Sequence, residues 1–240
     1  FLFFYVLFHQ RYWHRKVQQR PAKQARIRHE IRWSLRSIFV FNLVGLGTYA
    51  MYQAGWTQFY FDIEAHSYLW LAASIPLLIL WHDTWFYWTH RFMHLPKVYK
   101  RVHAVHHRST DPTPWAAFAF HPIEAFIEAA FVPIALLMMP LHPISLGTMF
   151  FFQITFNVLG HSGFEYWPKG FVQNKLLRLV VTSTHHNMHH KTFKWNYGLY
   201  LNVWDRLLGT NHPRYEATFE EVTSREQEAL ADAIPAKAVA

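Results

Sequence analysis

The chain has 240 residues, a formal charge of +8 and no cysteine. That length suits one domain, and the missing thiols exclude disulfides, thiolate zinc sites, Cys-ligated iron–sulfur clusters and Cys nucleophiles. Charged residues make up only 16%, below the ~25% of soluble domains, so a mean hydropathy of −0.04 hides apolar runs offset by 18 histidines and one basic stretch.

Residues 1–8 are uninterrupted apolar and read as the end of a membrane span. Residues 10–36 hold nine Lys and Arg against one acid, Glu30, a balance that points to anionic lipid headgroups rather than nucleic acid once apolar spans flank it. Residues 37–54 carry no charge and match one bilayer thickness. The loop 55–67 has Asp62 and Glu64 but neither Lys nor Arg, while 68–88 is apolar except for His82 and Asp83. Arg91, Lys97, Lys100, Arg101 and Arg108 make the next connection basic again. Residues 131–160 are apolar and broken by Pro133, Pro140 and Pro143, which predicts two helices meeting at 140–143 as a hairpin or re-entrant pair. By the positive-inside rule the basic connections are cytoplasmic. The expected fold is therefore all-α: an integral membrane helical bundle with a histidine-rich cytoplasmic cap. Three parts are expected: a partial first span and basic loop over 1–36, the membrane domain over 37–212, and an acidic, solvated tail helix over 213–240.

That topology puts every histidine-dense segment on one face of the membrane. His90 and His94 stand at i and i+4, where helical side chains share a face. His103, His106 and His107 repeat the idea, and His186, His189 and His190 repeat it again with His185 just ahead. Imidazoles beside hydrocarbon are costly unless ligated or paired. Eight of them exceed the three or four ligands of one metal, so two metals are the natural count. Neutral imidazole suits iron, zinc, copper or nickel alike, and spacing does not choose among them.

These segments, His90-Arg-Phe-Met-His94, His103-Ala-Val-His106-His107 and His185-His186-Asn-Met-His189-His190, resemble the histidine boxes of the fatty acid hydroxylase/sterol desaturase superfamily. Asp83 to Arg91, His161-Ser-Gly, Asn196-Tyr197-Gly198 and Trp204-Asp205-Arg206 fit as well, the last two being similar to the sterol C5-desaturase branch. The resemblance runs from about residue 69 to 210. It implies an integral-membrane di-iron enzyme that uses O2 and two electrons to hydroxylate or desaturate a sterol or fatty acyl C–H bond. It implies two Fe ions as cofactor, with zinc the ion an isolated sample can carry instead. It also implies His161 as a further ligand between the second and third boxes, giving nine: His90, His94, His103, His106, His107, His161, His186, His189 and His190. Asp83, His121 and Asn157 are expected behind them, His121 within a His-Pro-x-Glu stretch and Asn157 one turn before His161. His82 and His185 are expected as neighbours rather than ligands.

No glycine-rich flavin or dinucleotide motif is present, so the electrons come from a separate donor. The resemblance implies a cytochrome b5-like or ferredoxin-type protein, and Lys97, Lys100, Arg101, Lys191 and Lys194 offer it a basic approach or, equally, contact headgroups. The site is expected on the cytoplasmic side of a bacterial inner membrane or the endoplasmic reticulum. Two other classes compete. A histidine-lined metal transporter calls for ionisable residues at mid-bilayer in several spans, and a zinc metallohydrolase calls for carboxylates and a general base among the ligands. Neither matches boxes of nearly pure histidine at helix ends.

Overall fold

The computed structural model describes the backbone of residues 1–233 and the side chains of residues 1–225. Among the described residues there are nine α-helices joined by short 3-10 and π turns, with isolated β-bridges and no strand. The helices are α1 (Gln24–Gln53), α2 (Tyr68–Met93), α3 (Pro96–Tyr99), α4 (Pro122–Ala129), α5 (Phe131–Met138), α6 (Pro143–His161), α7 (Ser183–Thr192), α8 (Val203–Leu207) and α9 (Tyr215–Ala233).

Local chemistry sets the helix starts. The Ser67 hydroxyl accepts the Trp70 amide and opens α2. Pro122 and Pro143 occupy the first turns of α4 and α6, where no amide is needed, each behind a histidine whose ring accepts an early N–H: His121 from Ile123 and His142 from Ile144. Thr182 does the same for α7 through the His185 amide. Between α5 and α6, Met139 and His142 are extended around Pro140, and the chain turns back.

The hairpin predicted over 131–160 is present, but its descending leg begins earlier. Ala130 keeps helical torsions between α4 and α5, so the leg runs from 122 to 138. The break between the two helices falls where Pro133 cannot donate to the Ala129 carbonyl. Leu78, Phe131, Ala135, Leu136, Leu141, Leu146 and Met149 form the core between α2, α5 and α6. Ser74 and Ser145 share a buried 2.7 Å hydrogen bond across the α2–α6 contact. The hairpin turn meets the 58–61 connection: the Gln58 amide donates to Leu136, the Tyr60 amide to Leu141, and the His142 ring to Phe61.

Two helices, α2 and α6, are long and apolar enough to cross a membrane. The second half of α1 adds an outward apolar face, with Phe39 and Leu46 each 65% exposed. Leu69 at 79% and Phe151 at 75% continue it on α2 and α6. A belt of that size is not a surface water tolerates well.

The first and last segments differ from expectation. Residues 3–7 form a π turn lying against Phe164, with the Tyr5 hydroxyl on the Ser162 carbonyl at 2.8 Å. In the basic stretch, α1 starts at Gln24, and Lys16, Arg20 and Arg26 turn inward to a single carboxylate, Asp111, at 3.1, 3.3 and 3.4 Å. Lys16 and Asp111 are each 1% exposed and Arg26 12%, so Lys16 and Arg26 meet protein and not headgroups, while Arg20 stays half exposed. The acidic tail is not solvated along its described face. Tyr215, Phe219, Val222 and Thr223 are buried, and α9 packs on Met188 of α7 and on Phe171 and Val172 of the 3-10 turn before it.

Candidate metal centre

Five short pieces of chain deliver nine imidazoles to one end of the bundle. The last turn of α2 supplies His90, and His94 caps it. The turns after α3 supply His103, and a single 3-10 turn supplies His106 and His107. His161 ends α6, and α7 supplies His186, His189 and His190. The nine fall into two groups. His90, His94, His103, His107 and His189 make one; His106, His161, His186 and His190 make the other. Within each group one ring nitrogen per residue lies within 4.8 Å of all the rest, a geometry able to hold a metal ion. The second and third histidine boxes are thus divided between the groups, while His90 and His94 of the first stay together. His106 and His107 are adjacent in sequence and face different groups, because the 3-10 turn points neighbouring side chains apart.

The inward nitrogens are the Nε2 atoms. His90 and His103 bring theirs to 3.1 Å, His107 lies 3.1 Å from both His94 and His189, and His161 lies 3.2 and 2.9 Å from His106 and His186. Ligands ~2.1 Å from one metal at right angles stand about 3.0 Å apart. The outward nitrogens fix the tautomers. Nδ1 of His90 faces the Tyr197 carbonyl at 2.8 Å, that of His161 the Asn157 carbonyl at 2.7 Å, that of His189 the Trp195 carbonyl at 2.6 Å and that of His190 the Ser109 carbonyl at 2.9 Å. A carbonyl only accepts, so each Nδ1 donates and the Nε2 of a neutral ring is left with a bare lone pair. His103 gives its Nδ1 to Glu124 Oε1 at 2.6 Å, so it is bare as well. The facing His90 and His103 nitrogens therefore repel one another unless a cation lies between them. The donor set fits a metal.

Burial holds His103, His106, His107, His186, His189 and His190 well below the usual imidazole range, with neighbouring imidazoles adding to the effect. They are neutral, which is the ligating form.

The three residues expected behind the ligands have other partners. Asp83 Oδ1 accepts the Tyr200 and Leu201 amides at 2.9 and 3.1 Å; it holds the segment after Tyr197 and no imidazole. His121 caps α4 and stands outside both groups. The Asn157 side chain donates to Ala117 at 2.7 Å, and only its backbone carbonyl meets His161. His82 bonds the Tyr200 hydroxyl, and His185 lies 3.4 Å from Asp205. The carboxylate that does orient a candidate ligand is Glu124, three residues after His121 in the His-Pro-x-Glu stretch. Its signal was in the sequence, but a lone acid on a short helix has no spacing to single it out. Asp205 also went unassigned. It accepts the Tyr197 and Gly198 amides and the Thr210 hydroxyl, fixing the turn whose Tyr197 carbonyl holds His90. Burial pushes its carboxyl up, but His185 and these donors more than offset that and hold it below the usual range.

An apolar cavity of about 630 Å³ lies beside this site between α1, α2, α5 and α6. Phe86, Phe120 and Asn157 line its inner end. The Phe86 ring is 4.9 Å from His90 and the Phe120 ring 5.1 Å from His106, so the cavity abuts both groups.

Comparison with known proteins agrees with this architecture. The fatty acid hydroxylase family model matches residues 75–210. A Delta(7)-sterol 5(6)-desaturase of Gibberella zeae is 29% identical, over 91% of this chain and 67% of its own length. Lathosterol oxidase of Homo sapiens is 29% identical over 77% of this chain and 60% of its own, and a Delta(7)-sterol 5(6)-desaturase of Leptosphaeria maculans 31% over 83% and 54%. The chain thus spans from about half to about two thirds of these relatives. No solved structure matches it. The chain belongs to the fatty acid hydroxylase family, and its likeness to sterol desaturases and lathosterol oxidases sets it among that family's lipid-modifying oxidoreductases.

Proposed function

We propose that the chain is an integral-membrane di-iron oxygenase that hydroxylates or desaturates a lipid C–H bond with O2 and two electrons. The observation that carries this is the pair of buried all-imidazole groups abutting one apolar cavity. His90, His94, His103, His107 and His189 would hold one iron and His106, His161, His186 and His190 the other. Bound iron would supply the redox chemistry with O2 that zinc lacks.

The chain's own residues do the rest. The carbonyls of Tyr197, Asn157, Trp195 and Ser109, with Glu124, hold the rings in one tautomer and orientation. Phe86 and Phe120 separate the cavity from the histidines with hydrocarbon, which excludes water from the reacting end. The cavity wall, almost wholly aromatic and aliphatic, suits a lipid.

Electrons would come from a cytochrome b5-like or ferredoxin-type donor. Lys97, Lys100, Arg101, Lys191 and Lys194 are all exposed near the histidine end and suit an acidic partner. The exposed apolar belt would lie in the bilayer, with the histidine end cytoplasmic as a cap on the bundle. The membrane domain of 37–212 then extends at both ends, since the strap before α1 and the α9 helix pack on it.

Detergent-purified protein loaded anaerobically with Fe(II) should hold two irons per chain. Its O2 uptake should require both a reductant and a sterol or acyl lipid. Two zincs that cannot be exchanged for iron, or no O2 uptake with any lipid, would overturn the assignment. The relatives' names give no support to a transporter or a metallohydrolase.

A further inference from the structure

The histidine cap carries an apolar surface of its own, apart from the belt on α1, α2 and α6. Leu176 and Leu177 lie at the 3-10 turn Leu177–Leu179, and Leu207 and Leu208 at the end of α8. All four are exposed, Leu176 by 76% and Leu207 by 70%. The two pieces of chain form one body. The Asn202 amide donates to the Leu179 carbonyl at 2.7 Å, Val180 and Leu201 form an antiparallel bridge, and the Arg206 guanidinium donates to the Arg178 carbonyl at 3.3 Å. Four exposed leucines on so small a piece of surface mark a contact with another apolar phase.

Their place beside α2 says which phase. The Trp204 indole N–H, on α8, donates to the Thr84 hydroxyl at 3.1 Å, and its ring lies 5.6 Å from that of Trp88. Thr84 belongs to the outward stripe of α2, where Leu77, Leu80 and Trp88 are exposed at steps of three and four residues around it. A bilayer core of ~30 Å takes about 20 residues of helix. Whichever stretch of that length within the 26 residues of α2 crosses the core, Thr84 is inside it. The cap therefore meets α2 at the edge of the hydrocarbon and not above it, and the leucines of α8 continue the stripe. Trp88 and Trp204 stand where interfacial tryptophans stand. The rim is basic as well: Lys175 is exposed, and Arg178 and Arg206 share one acid, Glu216, at 3.4 and 2.9 Å. Cations around an apolar patch suit lipid phosphates.

We propose, resting on the membrane placement above, that residues 175–178 and 206–208 form a foot that enters the cytoplasmic leaflet. The leucines meet acyl chains, and Lys175 and Arg178 meet phosphates. The foot is continuous with the chain that builds the metal centre. Val180 leads into the Thr182 cap of α7, and Leu201 is held by Asp83 a few residues after the Tyr197 carbonyl that meets His90. Its insertion ties the third histidine box to the same leaflet as the end of α2.

Single cysteines in the full, cysteine-free chain test this, labelled with a nitrobenzoxadiazole maleimide and placed in nanodiscs of phosphatidylcholine and phosphatidylserine. Labels at Leu176→Cys and Leu207→Cys should emit to the blue and lose emission to lipid spin-labelled near the top of the acyl chain. A label at Leu80→Cys should lose emission to lipid spin-labelled at mid-chain, and one at Lys175→Cys chiefly to a headgroup spin label. Adding Leu207→Glu should lift the quenching at Leu176→Cys and leave that at Leu80→Cys in place. Labels at 176 and 207 that emit as in water would overturn the proposal. So would blue-shifted labels that no spin-labelled lipid quenches, since protein would then cover the leucines, or quenching at Leu176→Cys that survives Leu207→Glu in full. Quenching at Leu80→Cys alone removes the foot and leaves the membrane placement standing; its absence at Leu80→Cys removes that placement itself.

Discussion

His161 is the one member of the nine that comes from α6, and it closes the second group by touching both His106 and His186. That group has only four imidazoles. His161→Ala should therefore cut the metal content from two equivalents toward one, measured by elemental analysis after gel filtration. His121→Ala should leave both metals in place and cost only the ~1 kcal/mol of a lost helix cap. Glu124→Gln keeps shape but weakens the acceptor on His103, and metal affinity should fall about 10–100-fold. Acid acts on the same rings. Burial keeps the six imidazoles named above neutral in the fold, while the unfolded chain takes up protons near the ordinary value of 6.5. The unfolded state then binds more protons, so stability is fully present above that value and is lost as pH falls through it, by up to ~1.4 kcal/mol per imidazole per pH unit. Thermal melts of the metal-free protein from pH 8 to pH 5 should show a steep decline starting near pH 6.5; a flat profile would mean that the rings are open to water.

At the level of elements, the part of the site carried by spacing was legible and the part carried by single contacts was not. His90 and His94, or His186 and His190, advertise themselves because helix geometry repeats. Which imidazole joins which group was hidden, since it depends on a 3-10 turn that sends His106 and His107 apart. The turn at Pro140 was legible because proline cannot continue a helix. The helical run through Ala130 was not, because nothing in the apolar pattern marks where the leg begins. Lys16 and Asp111 are 95 positions apart and pair with no periodic signal at all. That pair ties the strap before α1 to the loop beside His107, and Gln18 adds a 2.7 Å bond to Asn187 on α7. Removing one partner of a buried charge pair costs ~3–5 kcal/mol. Asp111→Ala should thus free the strap, and limited trypsin digestion should cut first at Lys16, which the wild type buries. Equal digestion of both proteins would show that the pair is not what holds the strap.

On the scale of the whole molecule, polarity is segregated along one axis. The nine histidines and the basic surface of Lys97, Lys100 and Lys191 occupy one end. The hairpin turn, the 58–61 connection and the start of α2 share the other, linked by the Gln58, Tyr60 and His142 hydrogen bonds. Between them runs the belt of exposed Phe39, Leu46 and Phe151. The 26 residues of α2 reach ~39 Å, more than the ~30 Å of a bilayer core, so α2 is long enough for its ends to lie on opposite faces. The cysteine-free chain makes this directly measurable. Glu64→Cys and Lys100→Cys flank α2 at exposed sites, and Gln19→Cys reports the strap. In sealed vesicles, an impermeant maleimide should reach Lys100→Cys and Gln19→Cys from the cytoplasmic face alone, and Glu64→Cys only from the other. If Glu64→Cys and Lys100→Cys label from the same face, α2 does not cross. The apolar belt must then be covered by protein rather than lipid, and a lipid substrate would have no direct path from the bilayer into the cavity.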